Sequence, residues 1–147
     1  MPNTWHGRRH RLNEDFRLMK IFDDSFFSAL LAQAAESPRL RQNHNLHESF
    51  DEPVQRMFNA LQPGTVIPIH RRPVAETYAV LSGRADLVTY DGNGQETARV
   101  AMGPAAGVTV CQTDPGSWHS MEVIEPTILL EVKPGPYRPL DPADILS

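Results

Sequence analysis

The stretch from residue 64 to residue 83 carries polar side chains at spacings that could hold a metal ion. Residues two apart in a strand share a face, so His70 and Arg72 are expected to point the same way, and Glu76 follows on the next strand. Downstream, His119 comes directly after another tight turn. Two imidazoles and one carboxylate are donors that divalent iron, manganese, nickel or zinc accepts, and such a set leaves positions open for water or substrate. The pattern predicts a metal site in a pocket.

Short apolar runs separated by turns must position these side chains. The predicted strands are Val54–Leu61, Val66–His70, Thr77–Leu81, Ala85–Tyr90, Glu96–Ala101, Val108–Cys111, Ser120–Ile124 and Ile128–Val132. The run Asp91-Gly92-Asn93-Gly94 predicts a hairpin, because Gly and Asn accept the positive φ that such turns require. Many short strands without helices between them favour an antiparallel sandwich or barrel. We therefore expect a mainly all-β fold.

One helix precedes these strands. Asp24 or Ser25 is predicted to cap it, and it should end near Ser37, because the following proline disfavours helical geometry in the residue before it. Its apolar positions recur at helical spacing at Phe26, Phe27, Leu30, Leu31 and Ala34. Residues 39–53 are polar and predict a loop or irregular arm, while the proline-rich tail 133–147 is expected to run extended. Residues 1–18 show no apolar period and predict a flexible extension ahead of a single domain, residues 19–147.

Composition restricts the function classes. A chain of 147 residues with 40% hydrophobic and 22% charged residues is long enough for one hydrophobic core and too short for two ordinary domains. The net charge of −4 argues against general nucleic-acid binding, and no apolar run is long enough to cross a bilayer. The amino terminus lacks the apolar stretch of a secretory signal, so a cytoplasmic location without membrane partners is expected. The single cysteine, Cys111, cannot form an internal disulfide.

The spacing of these residues resembles the two motifs of the cupin superfamily. Gly64, His70, Glu76 and Gly83 match the first motif, and the second is matched in part by Pro115, Gly116 and His119. A closer resemblance, to the WbuC-type cupin-fold metalloproteins, is carried by Ser37-Pro-Arg-Leu-Arg, Asn43-His-Asn-Leu-His47, Glu52-Pro-Val-Gln-Arg56, Leu61-Gln-Pro-Gly64 and Glu131-Val-Lys-Pro-Gly-Pro-Tyr137. The resemblance implies a small antiparallel double-stranded β-helix barrel, a metal held by His70, Glu76 and His119, and a homodimer. The WbuC-type family is found with bacterial surface-polysaccharide gene clusters.

The sequence departs from the family pattern at one ligand position. Where the first motif has its second histidine, this chain has Arg72, whose protonated guanidinium has no lone pair for a metal. Two outcomes follow from this change. His70, Glu76 and His119 hold a metal as a set of three, or Arg72 pairs with Glu76 and takes the electrostatic place of the metal.

Other residues are candidates for binding or catalysis. Arg72 could clamp a carboxylate or phosphate, because its fork of donors fits either group in a bidentate way. Strand alternation places Tyr78 on the inward face with Glu76, where it is a pocket wall or a candidate catalytic residue. The family resemblance adds His47 and Arg56 as ligand-binding residues at the edge of the pocket.

Three kinds of function fit these residues. The first is a metal-dependent enzyme acting on a small sugar-like or carboxylated metabolite, with the metal as a Lewis acid. The second is a non-catalytic module that binds or senses a small molecule in the same pocket without metal. The third is a structural or interaction role for the helix and the arm. Barrel folds host many unrelated functions, so the fold alone does not choose among them.

Overall fold

A computed structural model describes residues 18–146, which form one α-helix and ten strands. The helix is α1 (Asp24–Glu36), and a short 3₁₀ turn covers Pro142–Asp144. The strands are β1 (Arg41–Asn45), β2 (Val54–Leu61), β3 (Ile69–His70), β4 (Glu76–Ser82), β5 (Ala85–Tyr90), β6 (Glu96–Met102), β7 (Val110–Thr113), β8 (Trp118–Val123), β9 (Thr127–Pro134) and β10 (Ile145–Leu146).

The strands form two five-stranded antiparallel sheets. The first has the order β1-β2-β9-β4-β7 and the second the order β10-β3-β8-β5-β6. Along β4, Glu76, Tyr78 and Val80 are buried while the residues between them are more exposed, as the predicted alternation requires. The buried core between the sheets contains Leu61, Tyr78, Val80, Ala85, Leu87, Met102, Met121, Val123 and Leu129. The mainly all-β fold with one helix is therefore confirmed.

Helix α1 covers the outer face of the first sheet. Its apolar side packs on Phe58, Ala60 and Ile128, and buries Leu30 and Ala34 against them. The cap differs from the prediction, because the side chain of Asp23 accepts a hydrogen bond from the backbone N–H of Phe26 at 2.9 Å. Neither Asp24 nor Ser25 holds the cap position. The helix ends before Ser37, as predicted from the proline that follows.

Two segments for which no strand was predicted, the arm 39–53 and the extended tail 133–147, contain strands. The polar arm 39–53 includes β1, which pairs with β2 so that Arg41 faces Leu61 and Asn43 faces Asn59. The extended tail includes β10, which pairs with β3. Both strands lie at sheet edges, where pairing depends on backbone hydrogen bonds with one neighbour and needs little apolar alternation. The predicted strand 66–70, by contrast, is reduced to Ile69–His70.

Gly83 joins β4 to β5 at a point where the chain has no room for a side chain. Its φ is +82°, and a Cβ atom there would lie 2.0 Å from the carbonyl oxygen of Pro126. Only glycine accepts both the left-handed backbone and this close approach. Gly83, the second glycine of the first motif, is thus explained by the close approach of this turn to the backbone of Pro126.

No helix within residues 18–146 is long and apolar enough to span a membrane. The predicted extension 1–18 lies outside the described residues, except for Leu18, whose side chain is exposed.

Candidate metal centre

Three strands bring His70, Glu76 and His119 together inside the barrel. His70 ends β3 and lies directly opposite His119 of β8, while Glu76 begins β4 in the other sheet. One donor atom from each residue lies within 4.8 Å of the others, and the imidazole centroids of His70 and His119 are 4.4 Å apart. The metal-ligand set predicted from the sequence is therefore a compact cluster that could hold an ion.

Backbone carbonyls fix the orientation of both imidazoles. The carbonyl oxygen of Pro68 lies 2.8 Å from Nδ1 of His70, and the carbonyl oxygen of Ser117 lies 2.9 Å from Nδ1 of His119. A carbonyl oxygen only accepts, so each Nδ1 must carry the proton and each neutral ring has its lone pair on Nε2. Metal-binding histidines are commonly oriented in this way by a hydrogen bond from the other ring nitrogen.

Glu76 presents one carboxylate oxygen to the imidazoles. The residue is 1% exposed, and its Oε1 lies 3.2 Å from Nε2 of His119 without a hydrogen-bond partner. Burial acts to raise the pKa of Glu76, but contact with His119 and the charge of Lys133 outweigh it and lower the pKa. An ionised oxygen and an imidazole lone pair at this distance repel each other unless a proton or a cation lies between them.

The distances fit a metal ion at this position. Bonds from zinc to imidazole nitrogen and carboxylate oxygen are about 2.0–2.2 Å, so two donors at right angles stand about 3 Å apart. The separation of 3.2 Å between Oε1 of Glu76 and Nε2 of His119 agrees with this spacing. Two histidines and one carboxylate suit divalent iron, manganese, nickel or zinc and leave coordination positions open.

Arg72 lies beside the cluster, where it contacts the second oxygen of Glu76. Its Nε is 3.8 Å from Oε2, and its Nη1 donates to the carbonyl oxygen of Arg138 at 3.2 Å. Nζ of Lys133 lies 3.6 Å from the same Oε2. The ion pair considered in the sequence analysis therefore exists, but it leaves Oε1 facing the imidazoles. A salt bridge with Arg72 and a metal on Oε1 are compatible in this geometry.

Tyr78 adds a hydroxyl group to the cluster. Its oxygen lies 3.1 Å from Nε2 of His119, and the side chain is buried. Burial, followed by the nearby Glu131 and Glu76 carboxylates, raises the pKa of Tyr78 well above its usual range. The phenol therefore stays protonated and donates its hydrogen to Nε2 of His119 when that lone pair is free.

His47 and Arg56 are not brought to the cluster. His47 is buried, and its Nδ1 accepts a hydrogen bond from the backbone N–H of Arg56 at 3.0 Å. The side chain of Arg56 is exposed on the face of β2 that also carries Phe58, under helix α1. Neither residue lines the cavity that contains the histidines. Strand alternation turns Arg56 outward, and the predicted ligand-binding role of both residues stays a prediction.

The two histidines of the cluster form part of the wall of a cavity between the two sheets. This cavity has a volume of about 260 Å³ and exposes His70, His119, Tyr78 and Glu131. The rest of its wall includes the apolar residues Leu61, Ile67, Met121 and Leu129 and the polar residues Arg39, Arg41, Gln42, Asn43, Asn59 and Ser120. Sequence analysis missed the polar group from residue 39 to residue 43, because that segment was interpreted as a loop. The two-residue spacing of the polar side chains Arg39, Arg41 and Asn43 could have predicted that they share one face of a strand.

Comparison with known proteins places the chain in a family and a fold. No curated protein sequence matches it. Among solved structures, it is similar to KdgF from Halomonas sp. (TM-score 0.54, 14% identity, 69% of this chain and 84% of that chain). It is also similar to a conserved protein of unknown function from Streptococcus pyogenes (TM-score 0.54, 20% identity, 81% and 90%). A third is a cupin superfamily protein from Desulfitobacterium hafniense (TM-score 0.53, 15% identity, 64% and 76%).

These identities are low, so the likeness shows the cupin fold alone. Residues 22–102, more than half of the chain, match the sequence model of a family described as "Domain of unknown function (DUF6016)". The chain therefore belongs to the DUF6016 family and has the cupin fold.

Proposed function

We propose that this protein is a metal-dependent enzyme that acts on a small carboxylated or sugar-like metabolite. The observation that carries the proposal is the convergence of one donor atom each from His70, Glu76 and His119 within 4.8 Å, with Oε1 of Glu76 at 3.2 Å from Nε2 of His119. Both Nδ1 atoms donate to backbone carbonyls, so no hydrogen lies between Nε2 of His119 and the carboxylate when the ring is neutral. A divalent cation satisfies all three donors at once.

The metal, when bound, would act as a Lewis acid on a carbonyl or hydroxyl oxygen of the ligand. The chain supplies the remaining groups. Tyr78 keeps its proton because burial raises its pKa, so it serves as a hydrogen-bond donor at the floor of the cavity and not as a base. The neighbouring apolar side chains Leu61, Met121 and Leu129 limit the access of water to that floor.

The cavity supports a small ligand with both apolar and polar parts. Its volume of about 260 Å³ is slightly below the usual range for ligand pockets, about 300–1,000 Å³, so the ligand is small. One wall is apolar, while the amides of Asn43 and Asn59 can bond hydroxyl or carbonyl oxygens. The WbuC-type resemblance extends the proposal to a cytoplasmic metabolite of surface-polysaccharide synthesis. This chain has Arg72 where that family's motif has its second histidine. The three remaining candidate ligands still lie close together.

A non-catalytic module that binds or senses a small molecule is the second candidate. It is favoured by the two cations that pair with Oε2 of Glu76, Nζ of Lys133 at 3.6 Å and Nε of Arg72 at 3.8 Å. These charges compensate the buried carboxylate in the absence of a metal. The same cavity would then bind its ligand without turnover.

Metal analysis separates the two candidates. The full chain, purified without chelators or a metal-binding tag, is expected to contain close to one equivalent of iron, manganese, nickel or zinc. Chelator-treated protein should take up one equivalent in a calorimetric titration, and Glu76→Gln should lose this binding. Glu48→Gln, which removes the charge of an exposed carboxylate, is the matched control and should bind like the parent. A metal-free preparation that also binds no ion in the titration would favour the second candidate.

A further inference from the structure

Two arginines line the cavity away from the metal cluster. Arg41 is the first residue of β1 and lies opposite Leu61 of β2, while Asn43 lies opposite Asn59. Cross-strand partners share a face, so Arg41 and Asn43 are on the cavity side of the sheet, and His44 contacts Phe26 on the helix side. Arg39 precedes β1 and lines the same cavity. Since Arg39 is exposed and His119 is buried, the arginines mark the mouth of the cavity and the histidines its floor.

The backbone holds this mouth in a defined shape. Leu40, between the two arginines, has φ +56°, which is uncommon for a residue other than glycine. Its carbonyl oxygen accepts a hydrogen bond from the backbone N–H of Gln62 at 3.0 Å, and the carbonyl oxygen of Arg39 accepts one from the hydroxyl of Thr65 at 2.7 Å. Backbone in a sparsely populated region persists where the surrounding structure fixes it, and such residues cluster at ligand sites.

The guanidinium groups of Arg39 and Arg41 have no carboxylate partner among residues 18–146. The ion pairs of this part of the chain involve other basic residues, and Arg41 makes one long hydrogen bond, from Nη1 to the carbonyl oxygen of Val66 at 3.4 Å. Glu131, the carboxylate that lines the same cavity, is paired with Lys133 at 3.1 Å. Burial, and then the charge of Arg39, lower the pKa of Arg41. Two guanidinium charges close together and partly removed from water favour a bound anion.

We propose that Arg39 and Arg41 form an anion-binding site at the cavity mouth that takes the carboxylate or phosphate group of a small organic acid. The fork of donors on a guanidinium fits either group in a bidentate way. The carbon skeleton of the ligand then lies along Leu61, Ile67 and Leu129, and an oxygen at its other end reaches His70 and His119. The orientation of the ligand depends on the metal site proposed above. The anion-binding site itself does not depend on that metal site.

This assignment replaces the anion clamp that the sequence suggested at Arg72. The guanidinium of Arg72 contacts Glu76 and the carbonyl oxygen of Arg138. It lines a separate cavity of about 180 Å³ with Lys133 and Tyr137 instead of the cavity of the histidines. The guanidinium groups that share a cavity with the imidazoles are therefore those of Arg39 and Arg41.

Anion binding to the chelator-treated full chain tests the proposal. Acetate and inorganic phosphate are titrated separately at low ionic strength and followed by NMR, with acetamide as the neutral counterpart of acetate. We expect at least one anion to give saturable shifts of the Arg41 side-chain signals, and acetamide to give none. The ratio of the two dissociation constants distinguishes a carboxylate ligand from a phosphate ligand.

Charge-removing variants locate the bound anion. Arg41→Gln should weaken binding about ten-fold or more, because hydrogen bonds to charged groups contribute about 1.5–3 kcal/mol. Arg41→Lys keeps the charge but loses the fork and should give an intermediate loss. Lys20→Gln removes the same charge from an exposed residue outside the cavity and should bind like the parent. Absence of anion binding, or equal binding by the parent and Arg41→Gln, would overturn the proposal. Because the metal is removed throughout, this result is independent of the metal titration of Glu76→Gln.

Discussion

The two carboxylate oxygens of Glu76 have different surroundings. Oε2 faces the cations of Lys133 and Arg72 at 3.6 and 3.8 Å, whereas Oε1 faces Nε2 of His119 at 3.2 Å. The two cations thus hold the carboxylate with Oε1 on the side of His119. The neighbouring cations lower the affinity of the site for a metal cation by electrostatic repulsion. A substitution at residue 72 measures the size of this effect.

Replacing Arg72 should strengthen metal binding. Arg72→His removes a positive charge near Glu76 and adds an imidazole where the cupin motif has one, and we expect affinity to rise about ten-fold or more, since ~1.4 kcal/mol is a factor of ten. Arg72→Gln removes the charge without adding a ligand and should give a smaller gain. Calorimetric titration of both variants after the same chelator treatment measures the two contributions. Equal or weaker binding by Arg72→His would mean that residue 72 does not face the ion.

The free energy of unfolding should depend on pH in a way that reflects the burial of His70. Burial lowers the pKa of His70 below its usual value near ~6.5, so the folded chain binds fewer protons than the unfolded chain just below that pH. The free energy of unfolding of the metal-free protein should therefore fall as pH drops from about 6.5 toward the folded pKa. Urea denaturation at several pH values measures this slope. His70→Gln should lose part of it, and an unchanged slope would show that His70 is not shielded from solvent.

At the level of single elements, edge strand β1 supplies polar side chains to the wall of the cavity. Its backbone pairs with β2, and the alternation along it sends Arg41 toward the cavity and His44 toward helix α1. Strand β4, unlike β1, shows the alternation expected from its sequence, with Glu76 and Tyr78 at buried positions. The turn at Gly83 then connects β4 to the second sheet.

Gly83→Ala should destabilise the fold strongly. The new Cβ atom would lie 2.0 Å from the carbonyl oxygen of Pro126, and φ of +82° disfavours any side chain. We expect a loss of about 2 kcal/mol or more in the free energy of unfolding, since strained backbone positions cost about 1–3 kcal/mol each before the clash is added. Gly92→Ala is the control, because a Cβ atom there would meet nothing within 4 Å. Chemical denaturation of both variants checks the difference, and equal stabilities would contradict the close approach of the two turns.

At the scale of the whole molecule, two stacked sheets enclose a cavity with a cationic mouth and a candidate metal site at its floor. The helix lies outside the first sheet and buries Leu30 and Ala34 there, so it supports the barrel without entering the cavity. The homodimer implied by the family resemblance stays a prediction that sedimentation can test.

Removing residues 1–18 should leave the domain folded. The segment has no periodic apolar positions, so it is not expected to supply a face to the core. Thermal melting of the shortened chain should agree with that of the full chain within a few degrees. A large decrease in melting temperature would show that the segment packs on the barrel or on a second copy of the chain.

Local periodicity and turn chemistry were enough to predict several features of this fold. The strands at residues 54–61 and 85–90 have the predicted bounds, because each short apolar segment lies between clear turn signals. The spacing of His70, Glu76 and His119 also indicated a shared site, since side chains near the ends of neighbouring strands meet inside a barrel.

Which polar residues face that site depends on contacts between segments that are distant in the sequence. Edge strand β1 is defined by hydrogen bonds to β2, 16 residues away at its central pair Asn43 and Asn59, and a polar sequence gives little sign of such pairing. Arg56 lies on a predicted strand and Arg41 in a segment predicted to be a loop, yet Arg56 is exposed to solvent and Arg41 lines the cavity. The register between strands makes this choice, and register depends on contacts between distant segments that no local pattern records.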